Sequence, residues 1–359
     1  MTENKSVSFI AFTNRETLSI EQKVNDYCLG LSSQGFKAVP KIIQSEAISE
    51  RIIKGFSIWR DESEILIVRN SIYTPFLLFS LILSRLRNKK IIIEVPTPLK
   101  VMASEVRNSH RNFIRKILLL IIIYLSFPYS LWPSNRILNY SAESRYFSFG
   151  LKKRSKLVTN GINVENIPVL SSDRNIKPEP FVMVAVAMFQ SSHGYDRMIR
   201  SIHSYLRKPD YNHKKAVKFY IVGDGPLRKE WEELTNKLGI NEEIIFTGIQ
   251  KGEKLHEIFS NAHIAVGSLT PYRNRMSIAS EIKLREYCAR GIPFIKTTED
   301  PDFPNELDFI FHLENSDKII NLDEIIDWYQ DLTYPGLHTR IRGYAKMKLD
   351  YKKKELLYL

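Results

Sequence analysis

Short apolar runs alternate with helix-length amphipathic segments along most of the chain, and nothing else in the sequence limits the fold as strongly. In the first half the runs are Val7–Phe12, Glu64–Arg69, Lys90–Val95 and Arg136–Tyr140, with helices expected at Ile20–Gln34 and Thr74–Leu86. The second half repeats the pattern, with strands at Phe181–Ala187, Val217–Val222, Ile244–Thr247 and Ile264–Val266. Helices are expected between them at Asp196–Leu206, Leu227–Leu238 and Lys254–Asn261, and after them at Asp323–Asp331 and Thr339–Leu357. Strands that read as unbroken Val, Ile and Phe are buried on both faces, and helices must cover those faces. The class is therefore α/β, with parallel sheets between helical layers. Ile167–Pro180, rich in Pro and Ser, reads as a linker between two such layers. No G-x-G-x-x-G follows the first strand, which argues against a dinucleotide dehydrogenase.

The length of 359 residues is enough for two domains of common size, each with its own core. Net charge is +12, and residues 1–165 carry 24 Lys and Arg against 13 Asp and Glu, or +11 of it. An anionic partner is expected for that half: a lipid surface, a phosphate-bearing substrate or nucleic acid. No recognition motif supports nucleic acid. Cys28 and Cys288 are the only cysteines, so no disulfide framework can be built, which favours a reducing compartment. MTENKSVSFIAF lacks a basic region followed by a long apolar core, so a cytoplasmic protein is expected. Residues 112–132, NFIRKILLLIIIYLSFPYSLW, are the most apolar stretch, interrupted by Ser126 and Pro128. Arg107, Arg111, Arg115 and Lys116 lie upstream or at its start, with Tyr124, Tyr129 and Trp132 in its later half. That pattern suits a helix lying in a membrane interface, and a buried core helix is the other reading.

The segment Ser277–Ile295, SIASEIKLREYCARGIPFI, carries the densest chemistry. Ser280 reads as a helix N-cap, and Gly291 followed by Pro293 as the stop. Leu284, Cys288 and Gly291 share one face, while Ser280, Lys283, Glu286 and Arg290 share another. On spacing alone Lys283–Glu286 and Glu286–Arg290 are surface pairs worth a few tenths of a kcal/mol each. A charged helix fed by a loop and leaving into the strand IPFI also suits a ligand site at a sheet edge.

SEIKLREYCARGIPF resembles the nucleotide-binding helix of retaining glycosyltransferases of family 4, which have the GT-B fold and the pattern S-P-L-K-x-x-E-Y-x-A-x-G-x-P-V. VGDGPLRKEWEEL at 222–234 is similar to the family's G-x-G-P element, with Gly223 and Gly225 letting backbone approach the nucleotide base. TNGIN at 159–163 resembles the N-G-I-D that begins the crossover between domains, with Gly161 as the turn residue. The resemblance implies two Rossmann-like domains with parallel sheets facing across a cleft: an acceptor-side domain over 1–166 and a nucleotide-sugar domain over 180–335. A terminal helix within 336–359 would pack back on the first domain. It implies a nucleotide-sugar donor, used as substrate with no cofactor or metal, and a glycan or polyprenyl-linked acceptor. By the same resemblance Glu286 holds the ribose, and Ser280 and Lys283 bind the donor. Glu94, in EVPTP at the end of a strand where a doubly wound sheet places its ligands, is a catalytic candidate that lines the acceptor side or simply caps that strand.

The chain departs from the pattern at three places. VAVAMFQSSHGYDRMIR aligns with the loop that cradles the donor pyrophosphate, but the family's Arg falls at Met188 and its Lys at His193, with Gly194 retained. His193 donating to phosphate and Arg197 supplying the lost cation restore the chemistry; an exposed histidine in a turn is the plain alternative. The family's first glutamate falls at Ile278, with Ser277, Ser280 and Glu281 as polar neighbours and Arg273 and Arg275 in phosphate reach. Asp300-Pro301-Asp302 has the form of a D-x-D metal motif from a different fold and reads as a loop. The expected activity is retaining hexosyl transfer in bacterial surface polysaccharide synthesis; the alternatives are a nucleotide-sugar 2-epimerase of the same fold or a non-catalytic, membrane-associated subunit.

Overall fold

In the computed structural model the alternation becomes two six-stranded sheets, every named strand pair in them parallel. The structure describes residues 5–13, 18–44, 48–70, 77–108, 112–140, 151–171, 179–209, 215–332, 335–354 and 356. The beginning of the helix expected from Thr74, residues 172–178 of the linker, the segment at 141–150 and the far end of the terminal helix lie outside them. The chain divides into two units: Met1–Asn163 with Ile278–Ser280 and Leu349–Leu359, and Val164–Ser277 with Glu281–Lys348.

The first unit runs β1 (Ser6–Thr13), α1 (Leu18–Ser33), β2 (Lys37–Gln44), α2 (Ile48–Phe56), β3 (Ile65–Arg69), α3 (Leu78–Leu86), β4 (Lys90–Val95), α4 (Leu99–Asn108), α5 (Phe113–Leu131), β5 (Arg136–Asn139) and β6 (Ser155–Leu157). Its sheet order is β2-β1-β3-β4-β5-β6. Residues of β1, β3 and β4 feed two cores, one on each face. Ile10, Leu66 and Ile93 pack with Leu81, Val106 and Ile123; Phe9, Ile67 and Ile92 pack with Val24, Tyr27 and Tyr351. The sequence reading missed β2, α2 and α4. KAVPKIIQ has no apolar run because β2 is an edge strand, largely exposed, where Pro40 costs no ladder bond that a central strand would need. Ser126 and Pro128 do not interrupt α5, which continues to Leu131; no helix among the described residues is long and apolar enough to cross a membrane. Gly161 has no positive φ. It is small because the Tyr351 ring lies on it: a Cβ there would sit 2.6 Å from Tyr351 Cδ1.

The second unit runs β7 (Phe181–Met188), α6 (Tyr195–Leu206), β8 (Val217–Asp224), α7 (Arg228–Leu238), β9 (Ile244–Gly248), α8 (Gly252–Ser260), β10 (Ile264–Val266), α9 (Ile282–Arg290), β11 (Phe294–Lys296), β12 (Ile310–His312), α10 (Leu322–Leu332) and α11 (Leu337–Tyr344). The sheet order is β12-β11-β10-β7-β8-β9, so the chain reverses direction across the sheet between β7 and β10. Trp231, Tyr195, Phe189, Phe219 and Met198 fill one core against the central strands. The helix expected over Thr339–Leu357 ends at Tyr344, where the backbone widens into a π turn over Ala345–Leu349. Beyond it Leu349–Leu359 belongs to the first unit: Tyr27 Oη donates to the Leu356 carbonyl, and Gln34 to that of Lys354.

Candidate donor site

Ligands of open parallel sheets sit beyond the carboxyl ends of the strands where the order reverses. In the second unit those are the ends of β7 and β10, and two helices begin beside them. Gly194 is the N-cap of α6 and Glu281 the N-cap of α9, and neither first turn receives a side-chain cap. The amides there remain available to an anion, and the helix dipoles favour one. The loops after β7 and β10 are tied together by backbone bonds, from Leu269 to the His193 carbonyl at 2.9 Å and from Thr270 to that of Ser192 at 3.3 Å. Gly194 has φ +62°, and a Cβ there would meet Thr270 Oγ1 at 2.3 Å, so both conformation and packing demand glycine.

Lys283, in the first turn of α9, lies inside this corner rather than on an exposed charged face. Its ammonium is 3.3 Å from Tyr195 Oη and 3.5 Å from Ser268 Oγ, with Glu281 Oε2 3.9 Å away. Burial lowers its pKa to about 8 against the pull of Glu281. The pair expected between Lys283 and Glu286 does not form, because the lysine turns inward. His193 stacks on Tyr195, ring centroids 5.9 Å apart. Its Nδ1 accepts from the Gln190 amide, so the neutral ring carries its proton on Nε2. Burial, then Lys283, holds it well below the ordinary histidine value. A hydrogen bond to the Met188 backbone pulls the other way without reversing this, so the cation of the corner is Lys283.

Glu281 is the acidic member. Ser268 donates to its Oε2 at 2.6 Å through the hydroxyl and at 3.3 Å through the amide. Its Oε1 is buried and has no hydrogen-bond partner among the described residues. A buried acceptor without a donor is costly, and such atoms are expected where a ligand hydroxyl completes the set. Tyr195, Ser268 and Thr270 were not singled out in the sequence; no spacing rule connects the start of α6 with the loop after β10.

Other expected residues are placed as follows. Glu286, half-buried, accepts from Arg290 Nη2 at 2.8 Å and Nε at 3.0 Å through Oε1 alone, leaving Oε2 without a partner among the described residues. Arg197 is not free to face a phosphate: it donates to the carbonyls of Lys318, Leu269 and Glu314, at 2.6, 3.0 and 2.9 Å, and braces the loop after β10. The Ser280 hydroxyl does not cap α9; it accepts from the Asn160 amide at 2.7 Å, and Glu281 takes the N-cap position instead. Gly223 and Gly225 approach protein backbone. A Cβ at Gly223 would lie 1.9 Å from the Ala187 carbonyl oxygen, and one at Gly225 2.5 Å from the Phe189 nitrogen. They let the exits of β7 and β8 run side by side, with the Phe189 amide donating to the Asp224 carbonyl.

Arg273 is also engaged, held by Asp196 at 2.8 Å and by Asp317. Asp300 and Asp302 close on Arg285: its Nη2 donates to both carboxylates at 2.7 Å, and its Nη1 adds a second bond to Asp300. Burial lowers the guanidinium's proton affinity, yet the two carboxylates more than reverse that and raise its pKa. Both aspartates are thus committed to a structural ion cluster.

Glu94 belongs to the first unit and is fully buried at the end of β4. Lys23 Nζ lies 2.5 Å from its Oε1 and Arg69 Nη1 2.6 Å from its Oε2. Burial pushes its pKa up, but Lys23 and Arg69 outweigh burial and hold it at about 2. Lys23, lowered to about 8 by burial, also lies 4.0 Å above the Tyr140 ring. A carboxylate this acidic and enclosed cannot accept a proton from an acceptor hydroxyl near neutrality. It anchors the carboxyl edge of the sheet, which is the strand-capping reading in a buried, ion-paired form.

Residues 180–321 match the family model described as "Glycosyl transferases group 1". A lipopolysaccharide core biosynthesis glycosyltransferase, LpsD, of Rhizobium meliloti is 30% identical over 83 residues, covering 23% of this chain and 22% of the relative. The chain's matches span about a quarter of the length of the curated relatives. Among solved structures, the apo lipopolysaccharide outer core galactosyltransferase WaaB superposes with TM-score 0.58 at 13% identity, covering 97% of this chain and 96% of that one. The E. coli structure described as trehalose-6-phosphate bound with UDP-2-fluoro glucose gives 0.55 at 11% identity, with 98% and 99% covered. Both likenesses establish the fold, two parallel α/β units of the GT-B kind, and within it residues 180–321 are similar to the group 1 glycosyl transferases.

Proposed function

We propose that the protein is a retaining glycosyltransferase that moves a hexose-type sugar from a nucleotide-sugar donor to a glycan or lipid-linked acceptor in bacterial surface polysaccharide synthesis. The observation that carries it is the corner where uncapped α6 and α9 meet the desolvated Lys283, with His193 stacked on Tyr195 beside it. Two amide turns and one cation suit a diphosphate, whose charge grows as the glycosidic bond breaks. In a dry site such donors stabilise the leaving group far better than in water. Glu286 Oε2 takes the ribose hydroxyls. The unpartnered Oε1 of Glu281 accepts from a sugar hydroxyl, the contact that Ile278 cannot make. Front-face displacement, in which the leaving phosphate takes the proton of the attacking hydroxyl, needs no protein base and accords with the inertness of Glu94. The remaining work is to hold donor and acceptor together. Support for the pathway class comes from the name of the Rhizobium meliloti relative, and for the donor class from the UDP-sugar in the E. coli structure. A cytoplasmic enzyme in peripheral contact with a membrane through residues 112–132 completes the reading.

The test is direct binding and hydrolysis across UDP-, GDP- and dTDP-sugars, with Glu281→Gln and Glu286→Ala beside the wild type. One nucleotide series is expected to bind. Glu286→Ala should weaken nucleotide and sugar nucleotide alike, whereas Glu281→Gln should spare the nucleotide and weaken only the sugar nucleotide. Absence of binding and turnover with every donor overturns the reading.

A further inference from the structure

Helix α5 carries an apolar face that nothing among the described residues covers. Phe113, Ile114, Ile117, Leu118, Ile121 and Tyr124 are all exposed, Phe113 by 76%, Ile114 by 72% and Leu118 by 55%. At the helical angle of about 100° per residue they fall within an arc of roughly 140°. The opposite side packs into the core through Ile123, with Leu119 and Leu120 against it. This face is therefore surplus to the core, and a stripe of this length on a soluble surface marks a docking site.

Charge identifies what docks. Residues 96–163 contain eleven Lys and Arg and only two Asp and Glu, so this stretch alone carries +9 of the net +12. At the N-terminal end of α5, Arg115 is exposed, and Lys116 donates to the Arg107 carbonyl, which draws that cation beside Arg107. Farther along, Tyr129 and Trp132 are exposed, the amphipathic rings that favour a lipid–water boundary. The neighbouring α3 adds exposed Phe79, Ile82 and Leu86, and Arg85 ties that helix to the end of α5 by donating to the Pro133 carbonyl at 3.0 Å. Apolar side chains bounded by cations and interfacial aromatics match the boundary layer of an anionic bilayer, not the flat apolar patch of a protein partner.

Resting on the peripheral-contact reading above, we propose that the exposed face of α5 seats on the headgroup layer of an anionic membrane, with α5 parallel to the surface, Phe113, Ile114 and Leu118 inserted, and Arg107, Arg115 and Lys116 against anionic headgroups. Selection for lipid charge follows, as does loss of attachment at high salt.

The experiment is flotation of the full chain with vesicles of phosphatidylcholine alone and of phosphatidylcholine mixed with phosphatidylglycerol. Wild type should bind the anionic vesicles at least about tenfold more tightly than the neutral ones. Arg115→Gln with Lys116→Gln should lower anionic binding by roughly tenfold or more, and Phe113→Ser with Ile114→Ser and Leu118→Ser should abolish it. All five positions are on the surface, so circular dichroism and nucleotide binding should stay at wild-type values; nucleotide binding lost in the wild type as well would sink the donor reading without touching this one. Equal binding to both vesicles, or anionic binding unchanged by the apolar substitutions, overturns the proposal. So does a wild-type dimer in light scattering that ignores vesicles and is dissolved by the apolar substitutions, since a second copy then covers the face.

Discussion

Replacing Lys283 with Met removes the desolvated cation beside Tyr195 at the start of α9 while keeping most of its volume. In the folded protein its pKa is about 8 against about 10.4 in an unfolded chain. Keeping it charged at neutral pH therefore costs on the order of 3 kcal/mol of stability. The sign follows from protons bound. Between pH 8 and 10.4 the unfolded chain holds the proton more tightly, so the cost is fully present below about 8 and fades as pH rises through that window. Lys283→Met should raise Tm at pH 7 and flatten this part of the stability profile. Donor binding should move the other way. A charge-assisted bond to phosphate is worth about 1.5–3 kcal/mol, so nucleotide diphosphate affinity should fall by roughly 10- to 150-fold. In wild type the lysine is about 90% protonated at pH 7 and about 10% at pH 9, so the apparent Kd should rise about tenfold across that range. Lys283→Arg should bind with little pH dependence, because guanidinium stays charged throughout. Isothermal titration of the nucleotide from pH 7 to 9.5, with a melting curve at each pH, reads both effects. If the Kd of wild type is constant over that range, or if Lys283→Met binds as well as wild type while remaining folded, Lys283 does not face the diphosphate.

Two further perturbations test the frame around the site. Glu94→Gln leaves Lys23 and Arg69 buried with a neutral partner, and urea unfolding should show a loss of about 3–5 kcal/mol. Because Glu94 is held at about 2, below an ordinary unfolded value near 4.3, its contribution is present above that value and is lost as pH falls toward 2; wild type and variant should converge there, and a gap that persists at pH 2 refutes the pairing. Gly223→Ala places a methyl against the Ala187 carbonyl, so stability should fall by more than about 1 kcal/mol, visible as a lowered Tm. An alanine variant of wild-type stability would show that β7 and β8 do not approach as closely as described.

Much of the fold was legible because local periodicity encodes it. Val, Ile and Phe runs such as Ile65–Val68 and Phe181–Val186 have no alternative to burial on both faces, so strand and layer follow from pattern alone. Gly291 stops α9 as expected, in the left-handed conformation with its amide on the Cys288 carbonyl. The edge strand β2 escaped for the converse reason: an exposed edge need not be apolar, and its sequence looks like a loop.

The site was legible only as an address. The family resemblance put His193 and Gly194 at the start of α6 and Lys283 and Glu286 on α9, since motif order follows chain order. It did not say which charges would be spent on the protein itself. Arg197 and Lys283 are both cations one turn into a helix. One is used up by three carbonyls from later loops; the other turns under Tyr195 and keeps its charge in a desolvated corner. Glu94 and Glu281 are both buried acids; one is neutralised by Lys23 and Arg69 from two other elements, and the other keeps an oxygen unpartnered. Most helices and strands, and the motif pattern, are written in local sequence, because these depend on neighbours within a few residues; β2, α2 and α4 are not. Whether a given charge is a support or a reagent was decided by tertiary structure, because hydrogen-bond partners and desolvation come from residues far away along the chain.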